Sequence, residues 1–195
     1  MRARHKTMTS VLLWAAVAVA SIQAQRPETF TATASVKSAS GATLTAPVTI
    51  VVTRKMPKDE SDKLLEAFKT GGVTALRSAL AGVKPTGTIQ LGKGAVTPTR
   101  FTIERPTDKG RLLTIVTDKP LVFLGAGVPG AKPKQGYEFA VADLQVDASG
   151  SGIGHLAPAA KVTVKGDAFV VEDYGAEQVE LKDVAKKAAA AKPKK

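Results

Sequence analysis

Runs of alternating or β-branched residues recur at short intervals along most of this chain, and the connections between them admit only antiparallel neighbours. Residues 29–37 (TFTATASVK) alternate strictly, with Phe30, Ala32, Ala34 and Val36 on one face and Thr or Ser on the other. That is the pattern of a half-buried strand. After a loop around Gly41, residues 48–53 (VTIVVT) are rich in the branched side chains that suit a pleated surface. Further strands are expected near 87–91, 97–105, 111–117, 121–124, 137–147, 152–157, 161–165, 168–172 and 177–182. Turn chemistry separates most of them, at Gly92-Lys93-Gly94, Pro106 to Gly110, Ala148 to Gly152 and Gly166-Asp167. A parallel crossover needs a dozen residues or more, so consecutive strands must pair antiparallel.

The period changes once. Pro57, Asp59, Glu60 and Asp62 make an acidic helix opening, Leu64, Leu65 and Phe68 follow at helical spacing, and Gly71-Gly72 breaks the segment. Val73, Leu76, Leu80 and Val83 then form a second apolar stripe that stops near Gly82 and Pro85. The expected fold is mainly β (a β-rich α+β chain): one antiparallel barrel or sandwich domain with a helical hairpin inserted at about 58–82. Strand spacing alone does not choose between barrel and sandwich.

The first 24 residues stand apart. Arg2, Arg4 and Lys6 precede an uncharged run from Val11 to Ala20, and Ala24 ends a small, polar stretch before Gln25. Positive, apolar, then small is the order of a cleaved secretory signal. The apolar run is about half the ~20 residues that a membrane-spanning helix needs. We therefore expect residues 1–24 to be a signal peptide, 25–185 a single β-rich domain, and 186–195 (KKAAAAKPKK) a disordered Lys/Ala tail. The expected location is periplasmic or extracellular and soluble, with no integral membrane segment after cleavage.

Charge and composition narrow the chemistry. The formal net charge is +11. The signal segment takes three of the 28 basic residues and the tail five, which leaves 20 against 17 acids in the body, a net +3. A nucleic-acid binder carries its basic stripe on the folded domain, so nucleic acid is not an expected partner. There is no cysteine, which excludes disulfides, thiolate metal sites, thiol nucleophiles and lipid attachment at an N-terminal Cys. A mature chain of about 170 residues can bury roughly 70% of its unfolded surface and needs no disulfide staple.

Few residues are arranged for catalysis. Gly125, Gly127 and Gly130 match GxGxxG after the strand-like LVFL, but Pro129 and Pro133 forbid the helix that dinucleotide binding requires. A Gly/Pro rim loop with Lys132 and Lys134, ending at Tyr137, is the alternative, and it is a candidate edge of a ligand site. Gly152-Ile-Gly154-His155-Leu-Ala157 fails the same test, its glycines suiting a hairpin and a tightly curved continuation. His155 is the single histidine beyond the signal segment, so a two-histidine metal site is impossible and no metal or cofactor is expected. A hydrolytic relay would have to use His155, with Ser151 or Ser149 as the nearby hydroxyl and Asp147 or Asp143 to orient the imidazole, and no nucleophile elbow is present. Glu172 to Glu177 lacks the regular ligand alternation of a calcium loop. Arg100, Glu104, Arg105 and Asp108 read as the solvated face of a hairpin, and the strand phenylalanines, Phe30, Phe101, Phe123, Phe139 and Phe169, as core.

The segment GRLLTIVTDKPLVFLGAGVPGAKPKQGYEFAVADLQVD, followed by EDYGAEQVELKDV, resembles short exported proteins of Gram-negative bacteria of uncharacterised function. The resemblance spans most of residues 26–185 and implies export and a shared β-rich body, with no residue roles. The functional expectation is a non-catalytic binding or cell-envelope-associated protein holding a small apolar ligand or an envelope component. The alternative is a hydrolase using His155.

Overall fold

The computed structural model describes residues 26–37, 41–121, 135–166, 168–173 and 178–188. In chain order the elements are β1 (Glu28–Lys37), β2 (Thr43–Val52), α1 (Lys58–Gly82), β3 (Gly87–Leu91), β4 (Thr97–Thr107), β5 (Gly110–Thr117), β6 (Phe139–Val146), β7 (Gly152–Lys165), β8 (Ala168–Asp173) and β9 (Val179–Lys187). The strands run β6-β5-β4-β3-β2-β1-β9-β7-β8, and β6 also pairs with β7. Every pairing is antiparallel. The ring therefore closes through β1 to β7 and β9 as an eight-stranded barrel, with β8 as an extra strand on β7. Barrel, not sandwich, is the answer.

Eight strands enclose a space just wide enough for side chains to fill, and here they fill it. Phe30, Ile50, Ile89, Leu113, Ile115, Leu144, Leu156 and Leu181 belong to one buried interior cluster. A second cluster lies outside the wall, where Leu64, Leu76 and Leu80 of α1 meet Phe101, Val116, Phe139, Val141 and Val162. The two-residue period of β6 separates them: Ala140, Ala142, Leu144 and Val146 join the interior, while Phe139 and Val141 join the outer cluster. Because it is covered on both sides, the start of β6 reads as continuous apolar sequence.

Helix α1 is broken where Gly71-Gly72 stands in the sequence. Gly72 has φ 63° and ψ −154°, a conformation outside the helical region that a side chain would resist. Asp59 and Glu60 in the first turn complement the helix dipole.

Several boundaries differ from expectation. The segments 152–157 and 161–165 are one strand, β7, carried through a bulge at Pro158-Ala159 opposite Ala140. A proline lacks the N–H a regular ladder needs, and a bulge is where that loss is tolerated; the Pro158 carbonyl accepts from Leu121 N at 2.8 Å instead. Strand β9 extends to Lys187, so Lys186 and Lys187 belong to the barrel rather than to a tail starting at 186. Leu121 is buried outside any strand, and the rest of the strand expected at 121–124 lies outside the described residues, as do residues 1–25, where a signal peptide is expected, and residues 189–195.

The Gly-x-Gly of residues 152–154 is explained by strand packing. A Cβ on Gly152 would collide with the Gln145 carbonyl, and one on Gly154 with the Asp143 carbonyl, both on β6. Gly152→Ala is therefore expected to lower stability by about 1–3 kcal/mol through forced displacement of β6, and Phe30→Ala by about 3–5 kcal/mol through loss of an interior ring. Urea unfolding midpoints measure both, and an unshifted midpoint for Gly152→Ala would refute the close approach of β6 and β7.

Candidate functional site

The outer cluster is incomplete, and its gap is a groove. Strands β7 and β8 continue past the barrel as a two-stranded ribbon, whose Phe169 packs edge-on against Phe68 of α1 (centroids 5.9 Å apart) and against Phe101 of β4 (5.5 Å). Between ribbon, helix and barrel wall a cavity of about 210 Å³ remains. Leu76, Leu80, Val116, Phe139, Val141 and Val162 provide much of its apolar lining. Its polar groups are few: Arg105, Thr114 and Asp143. Thr114 Oγ1 donates to Asp143 Oδ1 at 2.6 Å, whereas Arg105 is exposed and makes no ion pair among the described residues. A cavity of ~150 Å³ is enough to hold benzene, so this one accepts a body somewhat larger.

A second hollow, about 720 Å³, opens at the barrel end where the described chain begins and finishes. Its lining shares Glu28, Lys55 and Lys186 with a charged cluster that lids the apolar interior. Arg111 stands in register with the inward-facing Leu113 and Ile115, over the Phe30 ring at 5.9 Å. It grips Glu28 through two hydrogen bonds, 2.9 and 3.1 Å, and donates to Glu104 at 2.7 Å. Lys186 reaches Glu28 at 2.5 Å and Lys55 reaches Glu104 at 2.5 Å. Burial pushes the Glu28 carboxyl up, but hydrogen bonds from Arg111 and Lys186, with their charges, overcome that and hold it at about 2. Glu104 is lowered in the same way, burial opposing the stronger combined pull of Lys55 and Arg111. Glu104 thus faces the barrel end rather than forming a solvated hairpin face. Arg100 is likewise engaged, its Nε donating to Asp118 at 2.9 Å and its Nη1 to the Val83 carbonyl at 2.9 Å.

Of the residues singled out for a hydrolytic relay, Asp143 is brought opposite His155, with its Oδ1 accepting from Thr114, while Ser149, Ser151 and Asp147 stay in the turn before β7. His155 is exposed on β7, opposite Asp143 of β6 and Glu180 of β9, and its side chain makes no hydrogen bond among the described residues. Ser151 lies in the preceding turn, before the strand that carries His155. Strand rise alone separates Gly152 from His155 by about 10 Å. Asp147 is occupied in that turn: its Oδ1 accepts from Ser149 Oγ at 2.6 Å, Ser149 N at 2.8 Å and Ser151 N at 3.0 Å. The Ser149 hydroxyl, with these amides, holds the Asp147 carboxyl below its ordinary value. This is a self-capped turn. Of the rim loop, Gly125, Gly127, Gly130, Lys132 and Lys134 lie outside the described residues; Tyr137 is buried and lines neither hollow. Among the described residues no three His, Asp or Glu side chains gather as a metal site.

No family model matches this chain, and neither the curated proteins nor the solved structures contain a match.

The charged cluster sets a pH dependence. A carboxyl depressed from 4.5 to about 2 contributes its full stabilisation above pH 4.5 and loses it as pH falls towards 2. Stability measured by denaturant titration is expected to decline across that window. Glu28→Gln is expected to be less stable at pH 7 and to show a shallower decline; a parallel curve would mean that Glu28 does not carry the effect.

Proposed function

We propose that this chain is an exported, non-catalytic binding protein whose ligand is a small, mainly apolar molecule held in the groove between α1, the barrel wall and the β7–β8 ribbon. The observation that carries this reading is the apolar cavity itself, built on rigid elements and bordered by a few polar groups, which is the usual composition of a ligand pocket. Its 210 Å³ suits a ligand of one or two rings or a short branched chain. Arg105 and Asp143 at its border would orient a polar end. The exposed His155, separated from Ser151 and Asp147, supports binding over hydrolysis.

Export is proposed from the sequence alone: the cationic start, the short apolar run and Ala24 ahead of Gln25. Mass spectrometry of the protein recovered from the periplasm or medium is expected to show the chain beginning at Gln25. A product retaining residues 1–24 would refute cleavage there.

The groove is tested with N-phenyl-1-naphthylamine, whose fluorescence rises in apolar surroundings. Saturable binding of one dye per chain is expected, and Val141→Phe, which fills the groove, is expected to weaken it at least tenfold. That substitution costs about 1–3 kcal/mol of overpacking, so the melting transition is followed in parallel. Absence of dye binding, or unchanged binding in a folded Val141→Phe variant, would remove the groove as the site.

A further inference from the structure

The barrel-end hollow is lined by five cations, Arg26, Arg54, Lys55, Lys186 and Lys187, and by a single acid, Glu28. Three of the cations are engaged by carboxylates: Arg54 by Glu60 at 2.7 Å, Lys55 by Glu104 and Lys186 by Glu28. Arg26 and Lys187 are exposed and make no ion pair among the described residues. They occupy one rim, since Lys187 of β9 pairs with Thr29 of β1, three residues beyond Arg26. A further donor stands unused in the lining residue Arg54, whose Nε is buried without a hydrogen-bond partner. The chain then continues from Ala188, itself part of the lining, into a segment whose only charged side chains are Lys192, Lys194 and Lys195.

We propose that this barrel end docks on a membrane surface of anionic phospholipid, with Arg26 and Lys187 meeting lipid phosphates at the rim of the hollow and the Lys-rich end of the chain adding contacts beside them. Cations gathered at one end, fixed by a β-barrel and extended by a basic segment from the same point, match a planar array of negative headgroups. Each basic side chain near such a surface contributes roughly fivefold in binding. Attachment through exposed cations to anionic headgroups is screened by salt and therefore reversible by it.

The test uses protein lacking residues 1–24, whose apolar run would itself seek lipid; the barrel, from Glu28 to Lys187, is complete without them. Sedimentation with vesicles of phosphatidylglycerol and phosphatidylcholine is compared with phosphatidylcholine alone. Binding to the anionic vesicles, absent with the neutral ones and released by half-molar salt, is expected. Arg26→Ser combined with Lys187→Ser removes two exposed cations without touching the charged cluster, and is expected to weaken binding roughly thirtyfold with unchanged melting. Truncation after Ala188 is expected to weaken it as well while leaving the preference for anionic vesicles. The proposal is overturned if both vesicles bind alike, or if the truncation abolishes binding while the double substitution has no effect. Tight capture of dextran sulfate without vesicle binding would make the partner a soluble polyanion and overturn it equally. None of these readouts depends on the apolar groove.

Discussion

Strand β7 holds the architecture together because it pairs on both sides. Its first half bonds to β6 and to β9, and that second ladder joins the end of the chain to β1 through β9. Without it the sheet would keep two open edges, each a row of unpaired backbone groups. Closure brings β6 and β7 close together, and Gly152 and Gly154 leave room for the Gln145 and Asp143 carbonyls there. Past the bulge at Pro158-Ala159 the same strand leaves the ring and pairs with β8. One continuous strand thus closes the barrel and builds the outer wall of the groove.

Two layers of apolar packing follow from that geometry. The interior of the barrel is occupied by one buried apolar cluster. The outer cluster depends on α1, which the Gly72 break folds onto strands β4 to β7, and on Phe169, which joins helix and barrel through edge-on ring contacts. At the barrel end the apolar interior stops at Phe30, and Arg111 with Glu28 and Glu104 covers it. Burying such charges carries a desolvation cost, offset here by bidentate geometry and by Lys55 and Lys186 on the outer side.

Much of the secondary structure was legible. Phe30, Ala32, Ala34 and Val36 alternate in sequence, and the interior takes up that face; Leu64, Leu76 and Leu80 lie at helical spacing and pack on the wall. Phe101, Phe139 and Phe169 read as core and do pack, though in the outer cluster. Less was legible where neighbours in sequence part company in space. Glu104 and Arg105 look alike as adjacent charges, yet a strand's two-residue period sends one to the charged lid and the other to the groove. Glu28 and Arg111 are 83 residues apart, and nothing local to either announces the pair. The continuity of β7 was hidden by Pro158, which reads as a stop unless a bulge absorbs it.

The sequence by itself determined the antiparallel β character, the broken helix after the second strand and the scarcity of catalytic groups, because period, turn chemistry and residue inventory are local properties. Closure, the filled interior, the groove on the outside and the cationic barrel end were decided only in the tertiary structure. Each depends on which distant strand edges meet, and that is set by backbone pairing and by the clearance at a few glycines, neither of which has a local signature strong enough to read in advance.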